Sequence, residues 1–255
     1  MMRNPTKRNL ARRATVAITM KLRGNLHLIG TGILVDIDDH SFVITAAHVI
    51  QGSQKYQAEL GLIDVKGKFV GLDNDWKCLI LRNYGAPYDP IDVAIHEIDS
   101  YQRNQLNHAE FLTLQNMDLI SGTSRETYFL YGFPFSLVKR DEISGPKLFP
   151  RPLTVSIFRY RGSTHLIANY EEQFHLLLDA RHLDDRNIFG DISLHRSIEG
   201  ISGSGVWIED DNKAEKIVGL QTGVYQRHHL IKATRWSMVM KLLYNALPEF
   251  GSKPQ

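Results

Sequence analysis

Apolar and polar positions alternate over short runs along most of this chain. Leu26–Asp36 is rich in Leu, Ile and Val around Gly30-Thr31-Gly32. Asp36–Ser41 is polar, and Phe42-Val43-Ile44-Thr45 turns apolar again. Short runs of this kind bounded by turn residues predict strands. Thr15–Leu22, Lys68–Leu72, Cys78–Leu81, Val93–Ile98, Thr127–Tyr131, Leu153–Tyr160, His165–Asn169, Gln173–Leu178, Gly205–Ile208, Ile217–Thr222 and His229–Ala233 read the same way. Many short strands at short intervals argue for a sandwich or a barrel. One stretch differs. Arg235–Leu247 carries Trp236, Met240, Leu243, Tyr244 and Leu247 at helical spacing, and Pro248 and Gly251 end it. Asn107–Thr123 reads as a link between two halves. No strand–loop–helix unit surrounds Gly30-Thr31-Gly32, so it reads as a tight strand position rather than a nucleotide loop.

Composition narrows this picture. The chain has 255 residues, 43% hydrophobic and 23% charged, enough for a sizeable core without staples. Cys78 is the single cysteine, so no disulfide can form within the chain, and its apolar neighbours suggest a buried structural thiol. Residues 1–23 carry seven basic residues and no acid, which leaves 23 basic against 28 acidic residues in the remainder. No apolar run of signal-peptide length follows those charges, and no stretch is long enough for a transmembrane helix. We read a solvated, partly disordered basic leader and expect a prokaryotic, cytoplasmic protein.

Three segments carry candidate chemistry. In Phe42-Val43-Ile44-Thr45-Ala46-Ala47-His48 an apolar strand runs into two small residues and then a histidine, which places an imidazole at a strand end facing a cleft. In Asp92-Val93-Ala94-Ile95 an acid abuts a strand and can be held in a fixed place; Asp89, three residues earlier, competes with it. In Gly200-Ile201-Ser202-Gly203-Ser204-Gly205 glycines allow a sharp turn that exposes a hydroxyl and gathers backbone N–H groups into one volume. Ser204 also lies between glycines and is the alternative to Ser202. Each segment alone has an ordinary structural reading: a core histidine, a strand cap and a flexible turn.

Taken together and in this order, Thr45-Ala46-Ala47-His48, Asp92-Val93-Ala94 and Gly200-x-Ser202-Gly203 resemble the chymotrypsin-like serine proteases, a family that serves as the general template for triad catalysis. The resemblance spans roughly residues 14–247 and is specific only at these motifs. It implies an all-β protein of two six-stranded antiparallel β-barrels with a C-terminal α-helix. The expected layout is a leader over residues 1–13, a first barrel over 14–115 with His48 and Asp92, a second over 116–234 with Ser202, and a helix over 235–248. It implies a serine endopeptidase that forms an acyl-enzyme, with His48, Asp92 and Ser202 as catalytic residues. The backbone N–H groups of Gly200 and Ser202 would form the oxyanion hole. The family pattern places Gly two residues before the nucleophile and Gly directly after it, and only the Ser202 frame satisfies both.

Equal spacing puts Arg196 near the base of the primary specificity pocket, where a guanidinium would favour an acidic side chain. Thr222, in Gly219-Leu220-Gln221-Thr222-Gly223, resembles the segment that pairs with substrate backbone. Ile201 stands where activated members carry an Asp that pairs with a newly cut N-terminus, so zymogen activation of that type is not expected. Gly205 stands where Pro is common. These departures leave room for a catalytically silent protease-fold binding module or scaffold, or for activation by a partner protein. The expected partner is a protein or peptide substrate, with no cofactor, metal or membrane. His228-His229 would point to opposite strand faces, with no further ligand at metal spacing. Nucleic acid is not expected, although the basic leader supports a nucleic-acid-associated factor as a third reading.

Overall fold

In the computed structural model, residues 10–56, 58–63, 67, 69–79, 91–120, 125–141, 147–165, 167–181 and 198–249 are described. The chain begins with a short helix α1 (Leu10–Ala14) and continues through β1 (Thr15–Leu22), β2 (Asn25–Ile37) and β3 (His40–Thr45). Helix α2 (Ala47–Gln54) is followed by β4 (Glu59–Ile63), β5 (Phe69–Leu72), β6 (Lys77–Leu79), β7 (Val93–Ile98) and α3 (Ser100–Gln105). These seven strands form one antiparallel sheet, in the order β5-β4-β1-β2-β3-β7-β6.

Turn chemistry sets the first hairpins. Arg23 and Gly24 both have positive φ, 50° and 82°, and join β1 to β2. Such turns match the twist of the strands they connect. The expected polar turn over Asp36–Ser41 contracts to Asp38-Asp39, because β2 and β3 stay paired up to Ile37↔His40. On the inner face, Val16, Ile18, Leu34, Val43, Leu60, Leu62, Val70 and Ala94 share one core, so the sheet curls round its own side chains.

The second half holds β8 (Thr127–Gly132), β9 (Val138–Asp141), β10 (Lys147–Pro150), β11 (Leu153–Arg159), β12 (His175–Asp179), β13 (Gly205–Glu209), β14 (Glu215–Tyr225) and β15 (Leu230–Arg235), then helix α4 (Trp236–Ala246). Strands β11-β12-β15-β14-β13-β8 close into a barrel, and β9 and β10 form a separate hairpin. Every second residue points inward: Tyr128 and Leu130, Val155 and Ile157, Leu176 and Leu178, Ile231 and Ala233. The all-β reading and the C-terminal helix hold. The closed six-stranded barrel forms in this half, and the first half is a seven-stranded sheet.

Most predicted strands begin and end within about three residues of the observed ones, and those at β1 and β7 coincide with them, whereas β4, β9 and β10 were not predicted. His165–Asn169 forms turns instead, with Asn169 at φ 56°. The segment from residue 107 to 120 does link the two halves: Leu112 exchanges backbone hydrogen bonds with β2, and the Asp118 N–H donates to Ile217 O at 2.9 Å. Residues 10–13, assigned by sequence to the leader, form α1, whose Ala11 N–H donates to Glu215 Oε2 on β14 at 2.8 Å. Cys78 is exposed, not buried as expected; it lies on the edge strand β6, which has only one neighbour in the sheet. Among the described residues no helix is long and apolar enough to cross a membrane.

Candidate active site

His48 sits in the first turn of α2, directly after β3. Ala46 and Ala47 are buried in the sheet's core, and their small side chains let the chain turn tightly there. The imidazole is half exposed. Asp92 immediately precedes β7, the strand beside β3. One carboxylate oxygen accepts the His48 backbone N–H at 2.9 Å, and the other lies 2.6 Å from His48 Nδ1. A carboxylate only accepts, so Nδ1 carries the proton, and in the neutral form of the ring the lone pair belongs to Nε2. The double contact fixes both the position of the ring and its tautomer. Asp89 lies outside the described residues.

Ser202 comes from the loop between Ile198 and β13. Gly200 and Gly203 both have positive φ, 95° and 87°. The Glu199 carbonyl accepts from Phe135 N–H at 2.7 Å and the Ile201 carbonyl from Ser204 N–H at 2.8 Å. In a trans peptide N–H and C=O point in opposite directions. The N–H groups of Gly200 and Ser202 therefore point away from those partners. The N–H groups of Ile201, Gly203 and Ser204 are spent within the protein, on Ile198, Gln221 and Ile201. Those of Gly200 and Ser202 have no protein acceptor among the described residues.

Two side chains that the sequence reading passed over hold this loop to the first sheet. Thr31 is fully buried on β2. Its N–H donates to Ser202 O at 2.8 Å. Its hydroxyl donates to Gly200 O at 3.2 Å and accepts from Phe133 N–H at 3.0 Å. Thr45 Oγ1 donates to Thr31 O at 2.7 Å. A Cβ on Gly203 would lie 2.0 Å from Thr31 O and 2.3 Å from Thr45 Oγ1, so only glycine fits. The available signal was a hydroxyl between two glycines in an otherwise apolar strand.

His48 and Ser202 line one cleft of about 340 Å³, with Gly200, Phe135, Gly223 and Val224 in its walls. Among the described residues no hydrogen bond joins Ser202 to His48. Thr222 turns away from the cleft: it is buried, and its hydroxyl lies 3.3 Å from that of Thr234. Beyond Leu220, β14 has left β13 and keeps only β15 as a strand neighbour, so the backbone at Gly223 and Val224 borders the cleft as an edge. Ile201 is buried in the barrel core, which holds the loop by apolar packing. Arg196 lies outside the described residues. Beside Gly223 on the neighbouring strand, Lys232 is buried, and burial pushes its ammonium below its ordinary value, with Asp92 opposing that shift. His228 and His229 belong to a turn, with His229 at φ 52°.

No protein-family profile and no curated protein matches this sequence. Among solved structures, a Glu endopeptidase in complex with MPD aligns over 96% of this chain and 95% of its own, with a TM-score of 0.53 at 14% identity. The serine protease domain of the Sesbania mosaic virus polyprotein aligns over 90% and 91%, with a TM-score of 0.49 at 17% identity. The likeness to the endopeptidase is one of fold: this chain has the chymotrypsin-like architecture.

Proposed function

We propose that this chain is a serine endopeptidase with His48, Asp92 and Ser202 as its catalytic residues. The observation that carries the reading is the Asp92 carboxylate, which grips His48 by both its backbone N–H and Nδ1, on a residue that lines the same cleft as Ser202. Serine is a weak nucleophile until a base takes its proton. In the proposed reaction Ser202 Oγ attacks the scissile carbonyl while His48 Nε2 accepts the hydroxyl proton. Asp92 stabilises the imidazolium. The N–H groups of Gly200 and Ser202 hold the oxyanion; one such donor is worth roughly 3–4 kcal/mol of barrier. His48 then protonates the leaving amine as the C–N bond breaks. Water, deprotonated by His48, hydrolyses the acyl-enzyme and returns Ser202 to its starting state.

The backbone at Gly223 and Val224, which pairs with β15 on one side and has no second strand neighbour among the described residues, supports an extended peptide substrate bound as an added strand. The apolar packing of Ile201 supports a loop assembled without a newly cut N-terminus. A protein with one cysteine suits a reducing compartment, and the proposed setting is the prokaryotic cytoplasm.

Labelling with a fluorophosphonate probe tests the reading. Wild type and Ser204→Ala should label, whereas Ser202→Ala should not. Failure of folded wild type to label, or labelling that survives Ser202→Ala, would overturn it. The first outcome would point to a catalytically silent binding module with the same fold.

A further inference from the structure

Gly223 and Lys232 face each other as partners on β14 and β15. Ile231 and Ala233, which flank Lys232, point into the barrel core, so the Lys232 side chain leaves from the outer face of β15. Val224 packs against the same core, which gives Gly223 the outward position and no side chain to fill it. The Lys232 stem takes up that room. A Cβ on Gly223 would lie 3.3 Å from Lys232 Cε and 3.7 Å from Lys232 Cβ. The stem therefore runs alongside the bare Cα of a residue that lines the Ser202 cleft.

The charge on Lys232 is weakly answered inside the protein. The residue is buried, and among the described residues its Nζ has one hydrogen-bond acceptor, Asn169 O at 3.4 Å. Burial pushes its pKa down, and Asp92 pulls it back. Both carboxylate oxygens of Asp92 are engaged by His48, however. Among the described residues no carboxylate forms an ion pair with Lys232.

A desolvated ammonium gains most from a partner of opposite charge. At Gly223 and Val224, β14 has no second strand neighbour among the described residues. A peptide strand laid there sends successive side chains to opposite faces of the sheet. Those on the outer face lie beside Gly223, across its bare Cα from Lys232. We infer that Lys232 is a specificity-determining residue, and that preferred substrates carry an acidic side chain, Glu or Asp, at one position on that face. The carboxylate supplies the acceptor that the ammonium lacks within the protein. A larger residue at position 223 would displace the lysine stem or stand between the two charges. The inference rests on the peptidase reading, since it assigns a substrate class to the same cleft.

Digestion of a mixed peptide library by the full chain, with cut sites read by mass spectrometry, tests it. Sites cut by wild type should be enriched in Glu and Asp at one position near the scissile bond, and sites cut by Lys232→Met should lose that enrichment. Lys232→Arg keeps the charge and should keep the preference. In a synthetic peptide built on a preferred site, replacing that acid by Gln should lower kcat/KM roughly tenfold for wild type and less than about twofold for Lys232→Met. The ratio between the two peptides cancels any general effect of the substitution on activity, and a melting curve checks each variant's fold. Wild type that labels with the fluorophosphonate probe but cuts without acidic preference overturns the inference alone, whether or not the variants fold. So does a preference that survives in folded Lys232→Met. Folded wild type that neither labels nor cuts overturns both this inference and the peptidase reading.

Discussion

Ser202 and Ser204 are two residues apart and both adjoin glycine, yet their hydroxyls lie in opposite surroundings. Ser202 borders the cleft. Ser204 is fully buried, its Oγ has no hydrogen-bond partner among the described residues, and it faces Gly132, where an added Cβ would lie 1.8 Å from that oxygen. The turn at Gly203 separates the two. Lys232 is also held in surroundings that oppose its chemistry. Among the described residues its ammonium has one hydrogen-bond acceptor, Asn169 O at a long 3.4 Å, in a buried position. Its folded pKa lies below the ordinary 10.5. Above 10.5 the group is neutral in both states and imposes no charge penalty; as pH falls through the folded value the folded state must bury the charge, and stability is lost. Lys232→Met keeps the stem and removes the charge. It should raise the melting temperature at pH 7 by about 2–4 °C, for a gain of ~1 kcal/mol, and the gain should shrink as pH approaches 10.5. Equal gains at pH 7 and pH 10.5 would mean that charge burial is not the cause.

At the scale of elements, glycines that look alike in sequence differ in what surrounds them. Gly24 and Gly203 have nearly the same φ, 82° and 87°. A Cβ added to Gly24 would have nothing within 4 Å, whereas one added to Gly203 would meet Thr31 O at 2.0 Å. Gly24→Ala should cost only the left-handed backbone penalty, roughly 1–2 kcal/mol. Gly203→Ala adds a clash with backbone and should cost several times more, roughly 4 kcal/mol or beyond. Denaturant midpoints of the two variants measure the difference, and equal losses would show that the loop yields to the side chain. The same contrast limits what could be read in advance. The Gly-x-Ser-Gly turn was legible because glycine signals unusual backbone. Thr31 and Thr45, which hold that turn, were not, since their partners lie far along the chain, up to 169 residues for Thr31 and Gly200.

Over the whole molecule, the largest core belongs to neither half alone. Ile33, Val35, Ile44 and Val93 of the first sheet pack in one cluster with Phe129, Trp207 and Ile217 of the barrel strands and with Trp236 and Val239 of α4. Trp207 and Trp236 are fully buried there, and each large side chain so buried contributes roughly 1.5–3 kcal/mol. Helix α1 adds a second tie through Ala11 and Glu215. The two halves should therefore unfold together. Tryptophan fluorescence, dominated by the shared core, and far-UV circular dichroism should give coincident melting transitions. Two separated transitions would show that the halves are stable apart.

Local signals sufficed for the strand-rich class and the C-terminal helix, and for naming His48, Asp92 and Ser202, in that order, as candidates. Those features rest on local signals: alternation of period two, helical spacing, and glycines around a hydroxyl, all read within about ten residues. That the first half curls as a seven-stranded sheet came from the three-dimensional structure, since closure depends on pairing between distant strands. It alone decided that Asp92 meets His48 across 44 residues. Register between strands and the approach of distant side chains are set by which apolar faces bury one another. No short window of sequence contains both partners of those contacts.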